Sequence, residues 1–244
     1  MNLKTHTAST LIVLSIIGLL PLSVALSEDD KKPAHQDKPK QQWIDLFNGK
    51  DLDGWKSTEF GGQGGVSVKN SQMIVEAGVD LSGVTWTKED KLPKSNYEAV
   101  IEVQRVDGSD FFCGLTFPVK KDPCSLIVGG WGGGVCGLSS INGADASENA
   151  TTSYMAFKSG QWYKIRLRVT DTRIEAWIDD KQIVDQNIVD RKIGIRIEVE
   201  LSKPFGFATY QTTAAVRKLQ IRKLTDEEIK VLDKEHEKKV KEEF

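Results

Sequence analysis

The feature that most constrains this chain is a repeated alternation of apolar and polar residues with a period of two. From Tyr97 to Arg105, the residues Tyr97, Ala99, Ile101 and Val103 alternate with Glu98, Glu102 and Gln104. From Trp162 to Val169, Tyr163, Ile165, Leu167 and Val169 alternate with Lys164, Arg166 and Arg168. Arg173 to Asp179 repeats the pattern with Ile174, Ala176 and Ile178. Ile193 to Leu201 shows it most cleanly, with Arg196, Glu198 and Glu200 opposite a row of Ile, Val and Leu. Side chains of a strand leave its two faces in turn, so each run predicts a strand with one buried face. Asp107-Gly108, Asp171-Thr172, Asp179-Asp180 and Ser202-Lys203-Pro204 punctuate the runs as turns. Residues 43–224 contain no helix-period segment. The expected fold is all-β, a two-sheet jelly-roll sandwich, with a C-terminal helix appended.

Both ends differ from this middle. Lys4, an apolar run from Leu11 to Leu20, and Ser23-Val24-Ala25 have the layout of a secretory signal over residues 1–25. The run is shorter than the ~20 residues a membrane-spanning helix needs. The expected location is therefore exported, periplasmic or extracellular, with no membrane association after cleavage. Residues 26–42 are polar, carry two prolines, and read as a flexible linker. Residues 225–244 read as a charged helix opened by a Thr225–Glu228 capping box, exposed and docking by one edge at most.

The formal charge is −2, and about −3 once the signal is removed. Nucleic acid and anionic membrane are excluded as expected partners. Cys113, Cys124 and Cys136 fit no zinc-ligand spacing. They leave two states open, one disulfide plus a free thiol or three reduced thiols, with Cys113 in the core. The histidines, His6, His35 and His236, fall outside the domain, so no metal or cofactor is expected.

Trp43-Ile44-Asp45-Leu46-Phe47-Asn48-Gly49-Lys50-Asp51-Leu52-Asp53-Gly54-Trp55 places Leu46 and Phe47 in a core, turns at Asn48-Gly49 and caps the sandwich with Trp55. This stretch resembles the opening of the 3-keto-disaccharide hydrolase domain family. So do Tyr97–Arg105, Gly160–Ile165, Ile174–Asp180, and the spacing of Val216, Leu219 and Ile221. The resemblance spans about 43–224 and implies a concanavalin A-like lectin/glucanase jelly roll. Residues 108–115, 125–135 and 204–213 depart from the family pattern.

The resemblance makes Glu102 a candidate sugar-site acid, flanked by Gln104 and Arg105 as binding residues. On a strand, Glu198 and Glu200 would leave one face about 6.8 Å apart. That separation suits paired catalytic carboxyls at roughly 5 to 9.5 Å, with Arg196 beside them to orient a hydroxyl. A solvated strand face of mixed charge is the competing reading. The Gly-rich segment 131–152 reads as a binding loop, with Trp131 to stack on a sugar and Asn142, Ser139 and Ser140 to bond it. Calcium at Asp145, Glu148 and Asn149 is a weaker alternative, and Asn149-Ala150-Thr151 is a glycosylation sequon. The expected activity is hydrolysis of a 3-keto-disaccharide or related glycoside by Glu102, Glu198 and Glu200. A non-catalytic carbohydrate-binding module and a protein-interaction domain are the alternatives.

Overall fold

The alternating runs pair into two stacked antiparallel sheets in a computed structural model, which describes residues 42–242. In chain order the strands are β1 (Ile44–Asp45), β2 (Trp55–Ser57), β3 (Val66–Lys69), β4 (Gln72–Val75), β5 (Leu81–Trp86), β6 (Tyr97–Gly108), β7 (Cys113–Val119) and β8 (Asp122–Gly130). They continue as β9 (Val135–Ser139), β10 (Ser153–Tyr154), β11 (Tyr163–Val169), β12 (Arg173–Ile178), β13 (Lys181–Asn187), β14 (Gly206–Tyr210) and β15 (Thr212–Lys223), and helix α1 (Asp226–Glu242) follows. One sheet runs β13-β12-β11-β6-β15-β4-β3, with β1 also on β15, and the other runs β10-β9-β8-β7-β14-β5-β2. The expectation of an all-β, two-sheet sandwich with a C-terminal helix holds. The signal 1–25 and all of the expected linker but Gln42 lie outside the described residues.

Between the sheets the inward rows interdigitate. Ile101, Ile165, Leu167 and Ile221 from the larger sheet meet Leu115, Phe117, Leu126 and Phe207 from the smaller, all in one buried cluster. Leu46 and Phe47 enter this core, and the Trp55 indole donates to the Leu46 carbonyl at 2.7 Å. Asn48 Oδ1 accepts from the amides of Lys50 and Asp51, which shapes the turn expected at Asn48-Gly49. β6 extends through Asp107-Gly108, so the chain reverses after that pair rather than at it.

The three cysteines are free and buried. Burial raises each thiol pKa, to about 12 at Cys124 and about 11 at Cys136, and Cys113 also moves up. Thiolate is the reactive form. At pH 8 the native protein is therefore expected to resist a thiol-specific dye and to label fully in denaturant. Native labelling at the rate of a free thiol would contradict this burial.

The strand expected over 193–201 does not form. Ile197–Ser202 is a 3₁₀ segment, and residues 193–201 contribute only an isolated bridge from Ile193 to Ile141. Ile197 and Leu201 are 84% and 54% exposed. The reason is a missing ladder partner. The segment crosses the outer face of β5 and β14, whose backbones already pair with each other. It is tied there by the Thr85 hydroxyl, which donates to the Leu201 carbonyl at 2.8 Å. Gly206 lies directly beneath, where an added Cβ would stand 2.6 Å from the Ser202 carbonyl.

The capping box forms reciprocally: Glu228 accepts from the Thr225 amide at 2.8 Å, and the Thr225 hydroxyl accepts from the Glu228 amide at 3.1 Å. The helix is less detached than expected. Leu232 and His236 are buried, and His236 Nε2 lies 3.6 Å from Glu175 on β12. Thus His236 packs against the domain, correcting the expectation that it lies outside. Arg222–Glu228 and Lys239–Asp185 ion pairs add two more ties between helix and sheet.

Candidate functional site

The outer face of the seven-stranded sheet is built from small residues. Alternation puts Cys124, Leu126 and Val128 of β8 inward, leaving Ser125 and Ile127 outward; on β9 it leaves Gly137 and Ser139 outward. The Thr116 and Ser125 hydroxyls bond across β7 and β8 at 2.9 Å. Above this floor opens a cleft of about 610 Å³. Its walls carry four aromatic side chains (Phe60, Phe111, Trp131 and Tyr210) and three carboxylates (Asp80, Asp110 and Glu198).

The aromatic wall is positioned by backbone. Phe111 and Tyr210 lie 6.0 Å apart at 30°, and the Tyr210 amide donates to the Phe111 carbonyl. The Phe111 ring rests over Gly114, where a Cβ would come within 2.9 Å of it. Trp131 caps the turn between β8 and β9 with φ of +49° and stays 45% exposed. A left-handed tryptophan is uncommon and is held only where surroundings fix it. Here the Asp110 carboxylate accepts from the Gly132 amide at 2.8 Å. From below, Arg105 Nη2 donates to the carbonyls of Asp110, Gly129 and Gly133.

The charged side of the cleft is pinned by Arg196. Its guanidinium meets Glu198 through Nη2 at 2.6 Å and Nε at 3.3 Å, and Asp145 through Nη1 at 2.7 Å. The hydrogen bond from Arg196 chiefly holds the Glu198 carboxyl below its ordinary range, and Glu198 raises Arg196 in return. On the aromatic side, the hydrogen bond to Asp80 pushes the Tyr210 phenol up. One group is thus kept ionised and the other protonated.

The structure separates the residues expected from sequence. Trp131, Arg196 and Glu198 share the cleft. Glu102 does not: it stands on the outer face of the other sheet, ion-paired to Arg217 at 2.6 Å, beside Asp45 and Asn48. Gln104 follows it on β6, opposite Ala215. Arg105 has the opposite parity, so it turns inward and is buried, holding loops and not a ligand. Glu200 pairs with Lys203 and does not line the cleft. Asn142 lies in the turn closed by Ile141 and Ala144, where its Oδ1 accepts from the Lys192 amide at 2.9 Å, joining two loops.

The loop 140–152 is likewise held by its own polar groups. The Asn149 amide donates to the carbonyls of Leu138, Ala144 and Asp145, so the sequon nitrogen is fully engaged. Asp145 is taken by Ser147 and Arg196. Among the described residues no three His, Cys, Asp or Glu side chains are placed to share a metal ion. Sequence reasoning missed Phe60, Asp80, Asp110, Phe111 and Tyr210 as cleft residues. The available signal was that 108–115, 125–135 and 204–213 depart from the family pattern, and all three contribute to the cleft.

Comparison with known proteins places this geometry. An endo-acting O-glycanase of the human gut microbiota, concerned with mucin breakdown, superposes with a TM-score of 0.52 at 11% identity, covering 75% of this chain and 99% of that one. Apo Crh5 transglycosylase gives 0.51 at 13%, covering 76% and 85%. Crh5 transglycosylase in complex with NAG gives 0.50 at 13%, covering 76% and 84%. These likenesses establish the jelly-roll fold. No protein of curated function matches the sequence. Residues 42–222, however, match the family described as the 3-keto-alpha-glucoside-1,2-lyase-like domain, and the chain belongs to that family.

Proposed function

We propose that this protein is an exported carbohydrate-active enzyme that takes a 3-keto glycoside into the cleft above the seven-stranded sheet. The observation that carries this is the cleft itself: aromatic faces, a hydroxyl-lined floor, and an ionised carboxylate opposite a protonated phenol. Aromatic rings with polar groups around them suit a pyranose, which has an apolar face and a polar edge. Family membership and the carbohydrate-active jelly rolls of similar fold support the same ligand class.

A ketone at C3 acidifies the proton on C2. A base that removes this proton lets the C1–C2 double bond form as the C1–oxygen bond breaks, and the departing oxygen takes a proton from an acid. Glu198, held ionised by Arg196, can serve only as base or as a fixed anion. Tyr210, whose phenol carries a proton at neutral pH, is the proton donor that the cleft supplies to the departing oxygen. These roles replace the expected trio, since Glu102 and Glu200 lie elsewhere.

The test pairs binding with turnover. A 3-keto-α-glucoside is titrated into the protein calorimetrically, and alcohol release is followed by chromatography. Trp131→Ala is expected to weaken binding about tenfold or more, because it removes a stacking face. Glu198→Gln is expected to abolish turnover while binding persists. Absence of binding by the parent protein would overturn the proposal. Binding without turnover by the parent would leave a carbohydrate-binding module.

A further inference from the structure

The charges of the cleft do not balance. Among the described residues Arg196 is the one cationic side chain lining it, and Glu198 and Asp145 already satisfy that guanidinium. Asp80 and Asp110 also line it, and neither is seen in an ion pair among the described residues. Asp80 lies close enough to the Tyr210 phenol to push its pKa up, and accepts from Gln211 Nε2 at 3.4 Å. Asp110 accepts from its neighbour's amide at 2.7 Å and from Gly132 at 2.8 Å. The nearby Arg105 bonds the Asp110 carbonyl and turns its other contacts to Gly129 and Gly133. Both carboxylates therefore keep free lone pairs beside the Phe111–Tyr210 pair.

A second observation points to a ligand in the same cleft. Ser139 lines it, is 1% exposed, and its hydroxyl has no hydrogen-bond partner. A buried hydroxyl left unpaired costs free energy that a ligand's polar group would recover. The cleft thus offers an unpaired hydroxyl, two carboxylates with no ion-pair partner among the described residues, and aromatic faces that attract cations. An ammonium group answers the last two together, since it has three donors and a full positive charge. A neutral hydroxyl can bond one carboxylate but leaves both charges uncompensated.

We propose that the glycoside this cleft takes is an amino sugar, with its ammonium group seated between Asp80 and Asp110 against the Phe111–Tyr210 pair. This rests on the reading of the cleft as a glycoside site. The test uses three β-1,4 disaccharides that differ at C2: the glucosamine dimer, N,N′-diacetylchitobiose and cellobiose. They are titrated calorimetrically into the full protein at pH 5.5. The glucosamine dimer is expected to bind about tenfold or more tighter than either neutral sugar. Raising salt from low to high should erode that preference and leave the neutral sugars nearly unchanged. Asp80→Asn and Asp110→Asn, which keep the hydrogen-bond acceptor, should each remove most of it. If the neutral sugars bind as tightly as the amine, the amino-sugar proposal fails and the glycoside site stands. If none of the three binds, and the 3-keto-α-glucoside does not either, both fail. A preference that survives high salt or both Asn variants also overturns the ammonium site.

Discussion

Replacing Glu98 with Ala is expected to destabilise the domain by about 3 kcal/mol, the scale of breaking a buried ion pair from one side. Glu98 is 5% exposed, although it faces outward on β6. Register sets it between Arg168 on β11 and Arg222 on β15. Its carboxylate lies 2.6 Å from Arg222, 3.1 Å from Arg166 and 3.9 Å from Arg168. Arg222 continues to Glu228 on α1, while Arg168 continues to Glu175, which His236 also meets. Arg166 stacks 3.6 Å above the Trp177 ring. Without Glu98, three crowded guanidinium groups lose their shared anion. The melting temperature should fall by roughly 6–12 °C, taking ~2–4 °C per kcal/mol at this chain length. A melting curve within 2 °C of the parent would show that solvent already screens the cluster.

Replacing Arg105 with Met is expected to cost a similar amount, about 3 kcal/mol, and to disable the cleft as well. The guanidinium is buried, which pushes its pKa down, and it lies 5.0 Å over the Phe112 ring. Met leaves the carbonyls of Asp110, Gly129 and Gly133 without this donor, and unpaired buried carbonyls are costly. Those carbonyls lie in, or at the strand end next to, the two turns that carry Asp110 and Trp131. Glycoside affinity should drop at least as far as in Trp131→Ala, even at temperatures where the variant is fully folded. Calorimetry beside circular dichroism separates the two effects. Full affinity in a folded Arg105→Met protein would show that the turns hold their shape unaided.

These two residues show what strand periodicity reveals and what it hides. The alternation from Tyr97 to Gln104 put Glu98 on the outward row, so the inward and outward rows were legible, whereas Arg105 was expected beside Gln104 as a binding residue and turns inward instead. Alternation could not show that an outward glutamate is buried, because that depends on arginines 68 to 124 residues away. Nor could it show that an inward arginine holds turns, since its partners are backbone carbonyls with no sequence signature. At Ile193–Leu201 periodicity misled outright. Alternation describes side chains, whereas a strand also needs an unpaired neighbouring backbone. The sheet beneath that segment has none to give.

The cleft divides along the same line. Trp131 and the Arg196–Glu198 pair were visible as unusual residues in a Gly-rich turn and a charged run. Asp80, Asp110, Phe111 and Tyr210 were not, because each is an ordinary residue at a strand end or in the connection beside one. Their meeting depends on β14 inserting between β5 and β7. Sequence alone determined the all-β sandwich, the inward rows of the core, the capped helix and the family resemblance. Each of these rests on local periodicity, local hydrogen bonding or a contiguous motif. Tertiary structure alone decided which carboxylates share the cleft and sent Glu102 to the opposite sheet. Strand order and register between distant segments set which side chains meet, and neither is written in a local stretch of chain.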